Sequence, residues 1–349
     1  MAQRSSLGLP AIANLKNKPM LRAWPYLLRM CLLYFAVSVS AGATGADDAG
    51  TKESLDWLGK ARLAAEALNY AGTFIFQQGS QVRTSRIGHM GSGPQVLEKL
   101  EILDGQPREY LRRGDEITCY LPQEHRLIIQ SHLAGKAFPA LPVERSEQIS
   151  HYYRARNIGS ARVVGRDTQV IALEPRDAMR FGYRLWLEKS SGLMLRAQTL
   201  SETGDIVEQI SFTELNIGNV APSRLKTSFP NTQGWRIENA MVSKMLTSAW
   251  RVKWVPGGFR EIQVAKRGLG GSGQAAPRER IQLIYSDGLA GISIFIEPWS
   301  PQRSAIQIQQ GAINMVGKRH GEFWLTIVGE VPMAAILKVA DSIELTAIK

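Results

Sequence analysis

The sequence predicts an α+β protein of two units, in which a large antiparallel sheet with a helix laid across it precedes a smaller sheet closed by a C-terminal helix. Short segments with alternating apolar side chains follow one another along most of the chain, separated by turn residues. Amphipathic helical patterns stand near the two ends. The length of 349 residues also exceeds the usual size of one domain.

Residues 1–46 have the three parts of a secretory signal. Five basic and no acidic side chains lie in residues 1–29, an apolar run (LLRMCLLYFAVSV) covers 27–39, and a stretch of small residues follows. The apolar run is shorter than a membrane span. We therefore expect export to the periplasm, with cleavage after Ala43 or Ala46.

Removal of this segment changes the charge and the cysteine content. The formal charge falls from +11 to +6, since 37 basic residues then stand against 31 acidic ones, and Cys119 remains as a single thiol that has no internal disulfide partner. A mildly basic exported protein suits anionic lipid or an acidic peptide, and it is equally typical of an ordinary solvated surface. Export argues against nucleic acid as a partner.

The first unit begins with a helical pattern and continues as strands. A stripe of apolar residues at three- and four-residue steps predicts an amphipathic helix over 51–68: Leu55, Leu58, Ala61, Ala65 and Leu68. Alternating segments between turn residues predict strands at 72–78, 108–112, 116–121 and 126–130, and a meander over 182–215. We expect these strands to form one large curved antiparallel sheet.

The second unit follows a region of weak periodicity. Proline, asparagine and glycine interrupt residues 221–248, so we predict a linker between a large domain at 47–220 and a small domain at 249–347. Strand patterns fill most of the small domain. A closing helix begins after Pro332, with one apolar stripe: Met333, Ile336, Leu337, Ala340 and Ile343.

Motifs for chemistry are weak. The run at 268–273 matches G-x-G-x-x-G, but a strand rather than a helix follows it, so a flexible loop is the better interpretation. Cys119 and His125 lack an orienting third group, and the five histidines show no tight ligand spacing. We predict no catalytic residue, no metal and no cofactor.

Aromatic and basic side chains on or beside the first sheet remain as candidates. The aromatic ones are Phe74, Phe76, Tyr110, Tyr120, Tyr152, Tyr153 and Trp186, and the basic ones are Arg112, Arg113, Arg176 and Arg180. Most of the aromatic residues fit a plain core, but an incompletely closed sheet also leaves an apolar cavity that some of them would line. The arginines fit a solvated surface or phosphate groups at the mouth of that cavity. Our lipid-binding set is Phe74, Phe76, Tyr110, Tyr120, Trp186, Arg112 and Arg113.

Several stretches resemble the RseB/MucB family of sigma-E regulatory proteins. In the first unit they are Trp57-Leu58, Leu68-Asn69-Tyr70, DGQPREYLRRGDEITCY at 104–120 and the meander at 183–212. In the second they are WVPGGF at 254–259, YSDGL at 285–289 and TIVGEVP at 326–332. The match extends over essentially the whole exported chain in the family's order, which is more specific than any single motif.

The resemblance implies a fold and a function. It implies an open half-barrel similar to periplasmic lipoprotein carriers, with helices on its concave side, and a smaller α+β domain that holds the partner. It further implies that the protein binds the periplasmic segment of an RseA/MucA-like anti-sigma factor, shields it from regulated proteolysis and releases it when lipopolysaccharide or another acyl lipid arrives.

Three hypotheses follow. The first is this regulator, with a peptide surface near Trp254, Phe259, Tyr285 and Trp299, because aromatic residues are enriched at binding hot spots. The second is a periplasmic lipid or lipoprotein carrier that uses the half-barrel without a peptide partner. The third is a hydrolase, for which no spacing predicts a reaction. Exposed strand edges in an open sheet also predict self-association, such as a homodimer.

Overall fold

The computed structural model describes residues 44–91, 96–131, 146–240, 242–245, 248–269 and 278–346. The predicted signal up to Ala43 and most of the glycine-rich run at 268–273 lie outside these residues. Within them, no helix combines the length and the apolar character that crossing a membrane requires.

The large sheet joins twelve of the described strands. They are β1 (Tyr70–Gln78), β2 (Gln81–Met90), β3 (Leu97–Ile102), β4 (Arg108–Arg113), β5 (Glu116–Leu121), β6 (Arg126–Ser131), β7 (Tyr153–Val163), β8 (Arg166–Pro175), β9 (Gly182–Glu188), β10 (Met194–Leu200), β11 (Ile206–Ile217) and β12 (Arg236–Ala240). The order across the sheet is β12-β6-β5-β4-β3-β2-β1-β11-β10-β9-β8-β7. The β12–β6 pair is parallel and the other neighbours are antiparallel, so hairpins and short connections build the sheet.

One face of this sheet is covered by the first helix, α1 (Thr44–Ala67). Leu58 and Ala61 of α1 pack with Leu185 and Leu187 of β9, and Ala65 packs in the cluster that holds Tyr70 and Phe74 of β1. The predicted helix and its stripe are therefore confirmed, although α1 begins seven residues earlier. A short helix, α2 (Ser146–Ile149), lies next to α1.

The opposite face of β1 to β4 is covered by the chain that follows β11. Val220 and Leu225 pack against Ala71 there, and a 3-10 turn spans Pro222–Leu225. The segment then returns to form β12 beside β6. The residues for which the sequence predicts a linker thus include a sheet cover and two strands, because Leu225 is buried against the large sheet and pairing with distant strands defines the two strands.

A seven-stranded sheet and a C-terminal helix form the small domain. Its strands are β13 (Val242–Lys244), β15 (Arg260–Leu269), β16 (Arg278–Ser286), β17 (Gly291–Pro298), β18 (Ile306–Gln310), β19 (Ile313–His320) and β20 (Phe323–Gly329), and β14 (Trp250–Val252) pairs separately with β21 (Ile343–Leu345). The order is β13-β15-β16-β17-β20-β19-β18. The predicted fold class, a large open sheet with a smaller sheet domain and a C-terminal helix, is confirmed.

The closing helix, α3 (Met333–Asp341), packs on one face of the small sheet. Ile336 and Val339 are fully buried against Leu325 and Ile327 of β20. The prediction is wrong at Leu337, which is 40% exposed, because the helix turns Val339 rather than Leu337 toward the sheet.

A buried arginine joins the large sheet to the small one. Arg180, in the loop between β8 and β9, has no exposed surface; it donates hydrogen bonds to Asp287 Oδ2 (3.1 Å), to the Gly257 carbonyl (2.7 Å) and to both carboxylate oxygens of Asp177 (3.0 Å each). Its guanidinium lies over the rings of Tyr152 and Tyr153, 4.9 and 5.4 Å from their centroids. Both predicted roles of Arg180, a solvated surface residue or a phosphate ligand, are wrong, because three neighbouring loops already bind its donors.

Glycine explains how closely the small domain approaches this cluster. A Cβ at Gly257 would stand 2.9 Å from Cε1 of Tyr152, so the loop reaches the ring because it has no side chain there. Leu289, two residues after Asp287, packs in the same apolar cluster as Leu58 of α1 and Tyr153 of β7. The helix on the large sheet and a turn of the small sheet therefore share one core.

Candidate functional site

The face of the large sheet that α1 covers continues across β3, β4, β5 and β6 without a helix among the described residues. One row of directly paired residues from β2 to β6 shows how this face changes from covered to uncovered: Ile87, Leu100, Tyr110, Cys119 and Ile128. Directly paired residues point to the same side of a sheet. Ile87 is fully buried beneath the helix, whereas the other four side chains are only half-buried. We call the uncovered part of this side, on β3 to β6, the open face.

Two neighbouring cavities lie on the open face and share Arg108 and Tyr110. The first, of ≈ 620 Å³, is lined by Gln81, Val82, Arg83, Ile102, Asp104, Gly105, Gln106, Arg108 and Tyr110. The second, of ≈ 300 Å³, is lined by Arg108, Tyr110, Ile117, Cys119, Leu121, Glu124, Arg126, Ile128 and Gln130. The second cavity is lined mainly by apolar and aromatic side chains with two arginines among them, which is the composition expected for a ligand with an apolar body and an anionic group. The first cavity is lined mainly by polar side chains.

A polar row crosses the covered edge of the open face. Tyr70, His89, Glu98 and Arg112 are successive cross-strand neighbours from β1 to β4. The fully buried His89 ring stacks on Tyr70 with centroids 4.7 Å apart, and its Nδ1 donates to the Leu68 carbonyl at 2.8 Å, which leaves Nε2 as an acceptor without a partner among the described residues. Burial lowers the pKa of His89, so the ring is neutral.

Glu98 in this row titrates near neutrality. Burial raises the pKa of Glu98 to about 7, although the charge of Arg112 opposes the shift. Its Oε2 has no hydrogen-bond partner among the described residues. The open face therefore meets α1 at a carboxyl group that gains or loses its proton around neutral pH.

The predicted lipid-binding residues divide between the two faces. Phe74, Phe76, Tyr110 and Arg112 lie on the face that carries α1 and the open face. Phe74 is buried there against Phe212, with centroids 5.9 Å apart, while Tyr110 lines both cavities. Arg112 Nε donates to the Gly114 carbonyl at 2.9 Å.

Three of the predicted residues lie on the opposite face. Tyr120 follows Cys119 directly on β5 and therefore points to the other side of the sheet, where its ring stacks on Phe229 with centroids 6.4 Å apart. Arg113 is exposed, and Trp186 is buried beneath the Arg196 guanidinium, 5.4 Å from its centroid. The structure thus places Phe74, Phe76, Tyr110 and Arg112 on one face and these three on the other, although Trp186 belongs to the same buried cluster as Phe74. Successive side chains of a strand point to opposite faces of the sheet. Because the β4–β5 hairpin pairs Tyr110 with Cys119, Tyr120 points to the other face.

Of the nine residues that line the second cavity, the predicted lipid-binding set contains only Tyr110. Ile117, Leu121 and Ile128 alternate on β5 and β6, and Arg126 stands at the start of β6, where it pairs with Glu124 (2.7 Å). The available signal was the two-residue spacing of Ile117, Cys119 and Leu121, which puts the three side chains on one face of β5.

The four residues predicted to hold a peptide do not form one exposed patch. Phe259 and Tyr285 are buried in the core of the small domain, and the Tyr285 hydroxyl donates to Glu261 at 3.0 Å. Trp254 and Trp299 are half-buried; Lys338 lies over the first ring at 4.2 Å and Arg319 over the second at 3.7 Å. Their role in binding stays a prediction.

Comparison with known proteins gives matches over most of the chain. The model of the MucB/RseB N-terminal domain matches residues 53–240, and that of the MucB/RseB C-terminal domain matches residues 244–344. The sigma factor AlgU regulatory protein MucB of Pseudomonas aeruginosa is 32% identical over 322 residues, which cover 89% of this chain and 96% of that protein. The sigma-E factor regulatory protein RseB of Escherichia coli K12 is 26% identical, covering 90% and 98%.

Solved structures give the same picture. The crystal structure of MucB in complex with MucA(peri) has a TM-score of 0.65 and 28% identity, over 84% of this chain and all of that chain. The Pseudomonas aeruginosa MucA/MucB complex has a TM-score of 0.66, also with 28% identity, over 85% of this chain. Both domains and their order in the sequence are therefore shared with proteins whose structures include a bound partner.

Proposed function

Because the chain belongs to the MucB/RseB family, we propose that it is a periplasmic negative regulator of an envelope-stress response of the sigma-E type. In this role it binds the periplasmic segment of an RseA/MucA-like anti-sigma factor and protects that segment from regulated proteolysis. The observation that carries the proposal is the match of both domains, in order, to MucB, which has been solved in complex with MucA(peri). This role uses binding and no catalytic residue.

We propose that the open face is the lipid-sensing part of the same protein. The apolar side chains of the second cavity suit the acyl chains of lipopolysaccharide or a related lipid, and the arginines of both cavities suit its phosphates. A lipid releases the anti-sigma factor only to the extent that it binds the free protein better than the complex. The core shared by α1 and Leu289 supplies a physical link between the lipid side and the small domain.

The test is a protection assay with the exported protein and the periplasmic segment of the anti-sigma factor. We expect the protein to capture the segment in a pulldown and to slow its cleavage by the protease that makes the first cut in regulated proteolysis, and lipopolysaccharide to restore cleavage. A segment cut equally fast with and without folded protein contradicts the proposal.

A lipid or lipoprotein carrier is the second candidate, and the open cavities favour it. Its signature is acyl lipid that co-purifies in stoichiometric amount while the protease assay shows no protection. The small domain, joined to the large one through Arg180, argues for the regulator, since a carrier needs the half-barrel alone.

A further inference from the structure

The outermost strand of the small sheet, β18, is unusually exposed. All five of its residues, Ile306 to Gln310, are exposed, and its sequence, IQIQQ, has no charged side chain. One edge of β18 pairs with β19, and no described strand pairs with the other. An uncharged strand with a free edge is a template for another strand, because its outer backbone groups lack ladder partners.

The other edge strands of the twelve-stranded and seven-stranded sheets are protected. β7 carries Arg154, Arg156 and Arg162, all exposed, and its register is irregular between Asn157 and Gly159. β12 carries an arginine and a glutamate, and β13 has only three residues. Charges, irregular register and short length are the features that keep edges from pairing, and β18 has none of the three.

An apolar strip runs along one side of this edge. Ile306 and Ile308 share a face of β18, and strand register places Ile313 and Met315 of β19 on that face. The three isoleucines are 45%, 40% and 43% exposed. A strand added at β18 would therefore find apolar contacts for alternate side chains in addition to backbone hydrogen bonds.

One end of β18 meets the β1–β2 turn of the large sheet, and this limits what can bind. Gln78 Nε2 donates to the Gln310 carbonyl at 3.1 Å, and a cleft of ≈ 370 Å³ beside them is lined by Gln78, Gly79, Ser80, Gln81, Val207, Gln309, Gln310 and Gly311. No lining residue is charged. Because this turn stands beside one end of β18, a second sheet has less room at this edge than a single extended peptide, which needs only the edge and the adjoining cleft.

We propose that β18 is a strand-addition site for an extended peptide segment that is uncharged along the paired stretch and apolar at alternate positions. This inference rests on the proposed function, because it takes the peptide to be part of the periplasmic segment of the anti-sigma factor. In this site the isoleucine strip, Ile306, Ile308 and Ile313, contacts the apolar side chains of the peptide, and the free edge of β18 forms hydrogen bonds with the peptide backbone.

The test compares two lysine substitutions at equally exposed isoleucines. Ile308→Lys places a charge on the free edge, while Ile158→Lys places one on the β7 edge, and both wild-type side chains are 40% exposed. We expect Ile308→Lys to weaken binding of the anti-sigma segment about tenfold or more, as measured by titration calorimetry, and Ile158→Lys to leave it unchanged. Ile306→Lys, on the same strip, is a second variant with the same expected loss, and circular dichroism checks that each variant is folded.

The outcomes separate this inference from the proposed function. Failure of the wild-type protein to bind the segment overturns the proposed function. Wild-type binding that both β18 variants retain overturns the strand-addition site alone. A change in sedimentation of the β18 variants without loss of peptide binding also overturns it, since the edge would then hold a second copy of the chain.

Discussion

At the scale of single residues, two glutamates on neighbouring strands show how partners decide the effect of burial. Burial raises the pKa of Glu109, but hydrogen bonds from Lys99, Ser228 and Thr227 outweigh it and lower the pKa overall. Glu98 lies on the other face, where burial raises its pKa to about 7 with only Arg112 to oppose it. The Glu109 carboxylate therefore holds the segment at Thr227 and Ser228 against β4, whereas Glu98 changes its charge around neutral pH.

Replacement of Glu98 by glutamine tests this difference. The pKa of Glu98 is higher in the folded state than its ordinary value of 4.5, so its contribution to stability is full below about pH 4.5 and is lost as the pH rises through about 7. Between pH 5 and pH 8 we expect the free energy of unfolding of the wild type to fall by about 1 to 2 kcal/mol more than that of Glu98→Gln. This is less than the full pKa shift of Glu98 corresponds to, because water reaches part of the side chain.

Urea denaturation at the two pH values measures this change. Glu109→Gln is the control, since it removes the partner of Lys99 and lowers stability about equally at both, its depressed pKa acting only under more acidic conditions. Parallel pH profiles for the wild type and Glu98→Gln contradict the raised pKa.

At the scale of elements, alternation and helical stripes predicted the strands β1, β4, β5 and β6, the meander, α1 and α3. These segments have strong periods that local sequence reveals. The pair β7 and β8 was not predicted, because β7 is a mostly exposed edge with arginines on alternate positions. β12 was not predicted either, since its single partner, β6, lies about 110 residues earlier in the chain and only tertiary pairing defines it.

The candidate site was predicted in part for a related reason. Of the predicted set, Tyr110 lines the two cavities, but the sequence does not say which alternate side chains of a strand face the helix. Tyr110 and Tyr120 differ in parity and so lie on opposite faces. Arg180 was missed as a buried residue because its partners come from loops that are distant in sequence.

This pair of tyrosines gives a matched test of the open face. Both side chains are half-buried and lie on adjacent strands, but only Tyr110 lines the cavities. We expect Tyr110→Ala to weaken binding of lipopolysaccharide about fivefold, the equivalent of about 1 kcal/mol of lost apolar contact, and Tyr120→Ala to leave it unchanged. Fluorescence titration with a labelled lipopolysaccharide measures both, and equal losses in the two variants argue against the open face.

At the scale of the whole molecule, the two sheets meet through a charged cluster and an apolar contact that support each other. Arg180 binds the loop at Gly257 and the turn at Asp287, and Leu289 of that turn enters the core beneath α1. Asp287 Oδ1 also accepts hydrogen bonds from the amides of Leu289 and Ala290, each at 2.9 Å, so the same carboxylate shapes the turn and pairs with Arg180. A shift of one domain therefore disturbs ion pair, turn and core together.

Replacement of Arg180 by methionine tests how strongly this cluster stabilises the protein. The change leaves the Asp287 carboxylate, whose side chain is 2% exposed, without its cationic partner, and an unpaired buried charge costs about 3 to 5 kcal/mol. We expect Arg180→Met to lower the free energy of unfolding by that amount, a large part of the total for a typical domain. Arg154→Met, at an exposed position of β7, is the control and should change stability by less than about 0.5 kcal/mol.

A second substitution identifies the cause of that loss. Asp287→Asn keeps the oxygen that accepts the Leu289 and Ala290 amides but removes the charge. The double variant Arg180→Met with Asp287→Asn should therefore regain part of the lost stability, because no buried carboxylate remains unpaired. Urea denaturation of all four proteins completes the cycle. A double variant no more stable than Arg180→Met would mean that the arginine acts through its contacts with Tyr152, Tyr153 and the Gly257 carbonyl, and that the ion pair contributes little to holding the two domains together.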